Sequence, residues 1–145
     1  MTPTLAGRWQ TRLLLYIFVG LPVTWAYAFF VLELDEGFLD PFVFLTALFI
    51  VGALLDPVYN QIQRFRWDND WPFAFFVFFG IVEFLITLGL LNIGALDPFL
   101  VFRIDNGTAL VHFSLVLFFM LLGVLAGVQI FLIRWRFKGG EVGRL

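Results

Sequence analysis

The stretch that decides the fold lies in the second half of the chain and reads PFAFFVFFGIVEFLITLGLLN over Pro72–Asn92. Its apolar residues run continuously and do not alternate with polar ones, which favours a helix over a strand. A transmembrane helix needs about 20 mostly apolar residues, and this stretch supplies them with a single charge, Glu83. It therefore predicts a helix that crosses a membrane.

Three other stretches have the same character: Leu13–Leu32, Phe42–Leu55 and Ala109–Ile133. The chain is 61% hydrophobic and 14% charged, whereas soluble domains have about 45–50% apolar and about 25% charged residues. The connections are short, so successive helices should be antiparallel neighbours. We predict an all-α integral membrane protein, a four-helix transmembrane bundle that forms one domain over residues 1–145.

Composition also limits the chemistry. The chain has no cysteine and one histidine, His112, which excludes disulfides, thiolate nucleophiles, and metal sites built from several Cys or His ligands within one chain. Serine and histidine are too scarce for a nucleophilic triad, so an enzyme is not favoured. No cofactor is predicted, although a Phe-walled groove would accommodate a lipid or a hydrophobic pigment. The net charge of −2 without a long basic run argues against nucleic acid as a partner.

Eight of the nine basic residues lie before the first span, between the second and third, or after the fourth. The positive-inside rule therefore predicts that both termini are cytoplasmic. Arg outnumbers Lys eight to one, which favours a bacterial source and the bacterial cytoplasmic (inner) membrane. An N-terminal signal peptide is the alternative for Leu13–Leu32, but the apolar run continues past its Ala26-Tyr27-Ala28 triplet. Trp and Arg side chains that flank spans on the basic side are predicted to be interface anchors: Trp9, Arg64, Arg66, Trp67, Trp71, Arg134 and Trp135.

An internal repeat relates the two halves of the chain, about residues 8–65 and 66–138. Gly37–Phe42 reads GFLDPF and Gly94–Phe99 reads GALDPF, which predicts a duplicated two-helix hairpin; the alternative is chance similarity between Phe- and Leu-rich helices. Asp before Pro suits a helix start, because Asp caps it and Pro occupies its first turn. Asp40-Pro41 should thus begin the second helix, and Asp97-Pro98 a short interfacial segment over 99–104.

Glu83 is the first candidate for chemistry. It lies about 18 Å along its helix from Trp71, so it should face the bundle interior, on one stripe with Gly80 and Thr87. Gly80 is also a predicted helix-packing position. With the first span drawn from Leu13, no Lys or Arg lies within any span, and we expect Glu83 to be protonated. It is then either a site that couples to a proton or ligand, or a neutral structural hydrogen bonder.

His112 and Asp56 are the other candidates. His112 shares a helix face with Gly123 and Gly127, a GxxxG pattern typical of close helix packing; it either faces protein, within reach of a water-bridged pair with Glu83, or is merely interfacial. Asp56 precedes Pro57, so the second helix either ends there or continues with a carboxylate at a proline kink. We favour the first alternative.

These features favour a structural or accessory subunit of a larger membrane complex, packed through Phe-rich helix faces against the lipid bilayer and other subunits or copies of itself. The chain has 21 Phe and few polar residues within its spans. The alternative is a small proton- or ion-coupled transporter or channel that uses Glu83 with Asp56 or His112. Duplicated hairpins suit this alternative, although four helices usually need oligomerisation to enclose a path.

Overall fold

A computed structural model describes residues 4–31, 37–65 and 73–126, and this part of the chain is helical apart from its turns. Four helical segments are long and apolar enough to cross a membrane, which confirms the all-helical architecture that the sequence predicts. A π-helical turn at Tyr16–Gly20 joins the first two helices into one continuous span. The helices are α1 (Leu5–Leu15), α2 (Leu21–Val31), α3 (Asp40–Arg64), α4 (Phe73–Asn92) and α5 (Asn106–Leu122).

The first span begins earlier than the hydropathy of the sequence predicts. The helix starts at Leu5, where the Thr4 hydroxyl accepts a hydrogen bond from the backbone N–H of Gly7 at 3.1 Å and so caps the first turn. The predicted start at Leu13 is therefore wrong. A hydropathy window places the two preceding arginines outside the span because it counts every charge as a cost. The structure instead places Arg8 and Arg12 inside the helix.

The π-helical turn has a local cause in the sequence. Pro22 follows Tyr16–Gly20 by two residues. Proline has no N–H to donate, and its ring collides with the carbonyl four residues before it. Widening the preceding turn by one residue relieves that collision without ending the helix.

The favoured alternative, that the second span ends at Asp56, is wrong, because α3 continues through Pro57 to Arg64. Proline at position 57 leaves the carbonyl of Ala53 without its helical N–H partner. The indole Nε1 of Trp9 donates a hydrogen bond to that carbonyl at 3.2 Å. A side chain from α1 thus satisfies the acceptor that the proline frees, which offsets the cost of proline in the interior of a helix.

We expect Trp9→Phe to lower the free energy of unfolding by about 1 kcal/mol, because it keeps an aromatic ring but removes the donor to the Ala53 carbonyl. Reversible unfolding in mixed dodecylmaltoside and SDS micelles measures this loss. Trp25→Phe is the matched control, since Trp25 lies in the same span and is half exposed. An equal loss in both variants would show that the indole N–H of Trp9 adds nothing.

The two Asp-Pro turns lie at one end of the bundle, which we call the Asp-Pro end. Asp40 does not cap α3 as predicted: its carboxylate accepts hydrogen bonds from the backbone N–H groups of Val101 at 2.8 Å and Phe102 at 2.9 Å. Asp97 begins only a single 3-10 turn, Asp97–Phe99, and not a segment reaching residue 104. In this position Asp40 ties the start of α3 to the connection between α4 and α5.

The two turns share a local hydrogen-bond pattern. The N–H of Asp40 donates to the carbonyl of Gly37 at 3.0 Å, and the N–H of Asp97 donates to the carbonyl of Gly94 at 3.2 Å. Gly94 has a φ of 78°, a left-handed conformation that glycine adopts without strain. The similarity ends after the turn, because α3 continues for 25 residues whereas the second turn stops after three. Duplication of the whole hairpin stays a prediction.

The apolar core lies between α3, α4 and α5 in the half of the bundle near the Asp-Pro end. Its rings are Phe44, Phe84 and Phe113, of which Phe84 and Phe113 stack at 4.3 Å between ring centroids and Phe44 meets Phe84 edge-on at 6.2 Å. This packing fixes α3 and α4 side by side. It thereby sets the distance between their two acidic residues, Asp56 and Glu83.

Candidate functional site

A guanidinium group and two carboxylates lie in contact at the centre of the bundle. Arg12 of α1 donates to Asp56 of α3 through Nε at 3.0 Å and Nη2 at 2.9 Å. It also donates to Glu83 of α4 through Nη1 and Nη2, both at 2.9 Å. Each carboxylate therefore accepts two parallel N–H bonds, the strongest arrangement that arginine makes with a carboxylate. We call these three residues the Arg12 cluster.

Gly52 makes room for the cluster. It lies one helical turn before Asp56 on α3, and a Cβ built on it would overlap the Nη1 and Cζ atoms of Arg12 and lie 2.6 Å from Oε2 of Glu83. Any larger residue would therefore occupy the space of the guanidinium group. No sequence pattern distinguishes this glycine from the others, because its role depends on a contact with a distant helix.

The cluster lies well inside the apolar spans. Glu83 is ten residues after Phe73 and nine before Asn92, which is about 15 and 14 Å of helix. Asp56 lies eight residues before the end of α3, and Arg12 seven residues after the start of α1. The side chains of Asp56 and Glu83 are 3% and 9% exposed, and that of Arg12 is 21% exposed. The carboxylates are therefore more deeply buried than the arginine.

Arg8 brings a second positive charge close to the cluster. It lies four residues before Arg12, on the same face of α1, and is buried. Its Nη2 atom donates to Oε1 of Gln63 at 2.6 Å, and its charge acts on Asp56. Two guanidinium groups and two carboxylates thus lie in one region, and their formal charges cancel. Nearby opposite charges offset part of the cost of burying each group.

A polar seam extends from the cluster along α3 toward the end where α1 begins. Asp56, Tyr59 and Gln63 lie at intervals of three and four residues, hence on one face of α3, and all three are buried. Tyr59 interacts electrostatically with Glu83, Arg12 and Asp56. In the opposite direction the next layer is the core of phenylalanine rings, with the Thr24–His112 pair beside Phe44. The cluster is therefore connected by polar groups to one end of the bundle.

The structure corrects the expectation for Glu83. Glu83 does face the bundle interior, but it is paired with Arg12, so the premise that no arginine lies within a span is wrong, and with it the argument that the acid must be protonated. Thr87 donates its hydroxyl to the Glu83 backbone carbonyl at 2.8 Å, within its own helix. It therefore does not touch the Glu83 carboxylate. Asp56, another of the predicted candidates, lies beside Glu83, because both carboxylates accept hydrogen bonds from Arg12.

His112 belongs to a different site. It is buried, and its Nε2 atom lies 2.8 Å from the Thr24 hydroxyl of α2. The rings of Tyr27 and Phe44 lie beside it, with centroid distances of 5.1 and 6.2 Å. Its hydrogen-bond partner is Thr24 and that of Glu83 is Arg12, so the two predicted residues are not brought together.

The predicted packing glycines differ in how closely they approach a neighbour. A Cβ on Gly123 would lie 3.1 Å from Val19, whereas one on Gly80 would meet Leu117 at 3.4 Å, an ordinary contact. Gly123 thus lets the end of α5 approach the first span. Gly127, the other half of the GxxxG pattern, lies outside the described residues.

Most of the predicted interface anchors lie outside the described residues: Arg66, Trp67, Trp71, Arg134 and Trp135. Arg64 is exposed at the end of α3. Trp9 is half exposed and also has the specific partner described above, the carbonyl of Ala53.

Within the described ranges, no group of three or more His, Asp or Glu side chains could hold a metal ion. Comparison with protein-family models, with curated proteins and with solved structures finds no match for this chain.

Sequence reasoning missed Arg12, the residue that joins the site. The signal available for it was weak: two arginines four residues apart at the start of a long apolar run. That spacing places both on one helix face. The same pattern also describes a cytoplasmic flank, which is how the positive-inside rule interprets it.

Proposed function

We propose that this chain is a small multi-pass membrane protein that couples proton binding to a rearrangement of its helices, as a proton-coupled transporter does. In this arrangement all four spans cross the bilayer and both termini are cytoplasmic. The observation that carries the proposal is the bidentate pairing of Arg12 with both Asp56 and Glu83. Ionisable groups in the middle of membrane spans are costly, and they typically mark ion or proton pathways.

The cluster offers a direct route from protonation to movement. Arg12 keeps its proton under all physiological conditions, so the groups that gain or lose one are the carboxylates. A proton that binds an oxygen of Glu83 removes its charge and weakens the bond between α1 and α4, while the bond between α1 and α3 through Asp56 remains. A proton on Asp56 has the opposite result. Each protonation step thus changes which helix α1 is held against.

The polar seam supports a cytoplasmic entry for the proton. Gln63, Arg8 and Tyr59 lead from the end of the bundle where α1 begins to the Arg12 cluster. The core of phenylalanine rings separates the cluster from the Asp-Pro end. A path closed on one side by apolar packing is what alternating access requires of a resting state. A second copy of the chain would supply the additional helices that enclose a complete path.

The test is proton flux into proteoliposomes that contain the purified chain and an internal pH-sensitive dye, with a potassium gradient and valinomycin to set the voltage. We expect Glu83→Gln to reduce the flux at least tenfold while the bundle stays folded, because Asp56 still holds Arg12. Asp97→Asn is the matched control, since it neutralises an exposed carboxylate at the Asp-Pro end. Wild-type flux no greater than that of empty liposomes, or Glu83→Gln flux equal to wild type, contradicts the proposal.

A structural or accessory subunit of a larger membrane complex is the second candidate. Within the described residues, only 22% of the apolar stretch is buried in each of the third and fourth spans, against 39% in the second span. The exposed side chains include an aligned stripe on α4, Phe78, Ile81 and Leu85. Lipid covers this face if the chain acts alone, and another subunit covers it in a complex. Native electrophoresis of source membranes distinguishes the two, because an accessory subunit migrates far above the size of any small homo-oligomer of a 16.7 kDa chain.

A further inference from the structure

A cavity of about 260 Å³ opens at the Asp-Pro end, between α2, the start of α3, and the connection that leads into α5. Its inner wall is aromatic and includes Tyr27, Phe44 and His112. The ring planes of Tyr27 and Phe44 are inclined to that of His112 by 47° and 67°. The three rings are therefore inclined to one another and do not form one flat stack.

The rim of the cavity carries more negative than positive charge. Asp40, Asp105 and Arg103 line it. Asp40 is 3% exposed, and both of its oxygens accept backbone N–H bonds, which hold its carboxylate in place without a cation. Hydrogen bonds from the hydroxyl and N–H of Thr108 lower the pKa of Asp105, so this carboxyl group is ionised at neutral pH. The rim therefore carries two carboxylates and one guanidinium group.

No ion pair neutralises these carboxylates among the residues that the structure describes, where the ion pairs of Arg12 go to Asp56 and Glu83. Arg103 donates through Nη2 to the backbone carbonyl of Asn92 at 3.0 Å, which directs one edge of its guanidinium group toward the end of α4. The cavity thus has a net charge of about −1. A ligand with one positive charge would balance it.

We propose that this cavity binds an organic ammonium group, a primary or quaternary amine of head-group size. A cation over the face of Tyr or Phe is attracted by the ring quadrupole, and the two rim carboxylates add a negative potential. An inorganic divalent cation fits poorly, because Ca²⁺ takes six to eight oxygen ligands and both Asp40 oxygens are already engaged. The volume lies below the ~300–1,000 Å³ of pockets for larger ligands, which suits a single small group.

The ammonium group has two available sources, a free amine and the head group of a zwitterionic phospholipid. The lipid is favoured by the apolar residues that are exposed beside the opening, Phe99, Val101 and Phe102, at 71%, 57% and 55%. Arg103 at the rim would then pair with the lipid phosphate. The site is separate from the Arg12 cluster, and the inference does not depend on proton coupling.

The experiment measures the thermal stability of the full chain in dodecylmaltoside during titration with choline chloride, and with potassium chloride at equal ionic strength. A parallel titration uses short-chain phosphatidylcholine against phosphatidylglycerol of the same chain length. We expect saturable stabilisation by choline or by phosphatidylcholine beyond that of the matched potassium salt or phosphatidylglycerol. Saturation with choline identifies the free amine as sufficient, whereas saturation with phosphatidylcholine alone identifies the lipid head group. No saturable stabilisation in either arm overturns the proposal.

Substitutions of residues in and near the cavity test whether the ligand binds there. Asp105→Asn removes a rim charge but keeps a good helix N-cap, and we expect it to weaken the apparent affinity at least fivefold. Arg103→Gln should weaken phosphatidylcholine binding and leave choline binding unchanged if the phosphate is recognised. Asp97→Asn, at the same end but outside the cavity, should change neither. Equal affinity in wild type and Asp105→Asn contradicts the proposal even if Tyr27→Leu, which removes a ring, fails to fold.

Discussion

Arg12→Leu is expected to lower the free energy of unfolding by about 3–5 kcal/mol, the largest loss of any single change outside the apolar core. Removing one partner of a buried ion pair leaves uncompensated charge in a medium of low dielectric constant. Here the loss is compounded, because Asp56 and Glu83 share this partner and would be left facing each other. Equilibrium unfolding in mixed micelles, followed by circular dichroism, measures the effect.

Two controls separate loss of the cluster from loss of a charge. Arg64→Leu removes an exposed arginine at the end of α3 and should cost less than about 1 kcal/mol, as exposed charges do. The triple change of Arg12, Asp56 and Glu83 to Leu should recover most of the stability, because apolar replacement of a whole buried ion cluster is often neutral or better. A loss for Arg12→Leu no greater than that for Arg64→Leu would show that the cluster contributes nothing to the fold.

The triple variant also separates structure from function. If it regains stability and still transports protons, the cluster is merely a structural lock between α1, α3 and α4. We expect it to be folded and inactive. The difference matters because a buried ion pair is weak evidence for stability when an apolar core of similar volume would serve as well. An inactive but stable variant indicates that the charges are present for function.

Hydropathy alone predicts most of the fold. Continuous apolar runs set the number of helices and the bounds of α4, since burying that surface requires a helix of membrane-spanning length. It fails where a charge or a proline is satisfied by a partner distant in sequence. Arg12 pairs with residues 44 and 71 positions away. The carbonyl of Ala53, which Pro57 leaves without a helical partner, accepts a hydrogen bond from Trp9, 44 residues earlier. Such contacts leave no local pattern.

The acidic half of the site is easier to predict than the basic half. A single Glu inside an apolar run stands out, which identifies Glu83. Asp56 lies directly after the predicted run Phe42–Leu55 and is a candidate because it precedes Pro57. Arg12 lies one residue before the apolar run at Leu13, where arginine is ordinary. Its long aliphatic stem lets the charged group reach deeper into the bundle than its backbone position indicates. The length of the Arg12 side chain, which a hydropathy window does not take into account, allows this residue to reach both carboxylates.

Gly52→Ala should destabilise the bundle by about 3 kcal/mol, at the upper end of the cost of overpacking a core. Alanine is normally the better helix former by up to about 1 kcal/mol, so the sign here depends entirely on the neighbour. The added methyl group would overlap Nη1 and Cζ of Arg12, and four hydrogen bonds prevent the guanidinium group from moving aside. Gly89→Ala is the matched control: nothing lies within 4 Å of its Cβ position, and it should stabilise α4.

A double-mutant cycle assigns the cost of Gly52→Ala to its cause. In the background that carries Leu at positions 12, 56 and 83, the guanidinium group is gone, and the leucine at position 12 is shorter than the arginine it replaces. Two substitutions in contact are expected to be strongly non-additive, so Gly52→Ala should cost less than about 1 kcal/mol there. A cost that stays near 3 kcal/mol in both backgrounds would mean that α3 itself needs the glycine. A cost that disappears shows that Gly52 is small because Arg12 must pass it to reach both carboxylates.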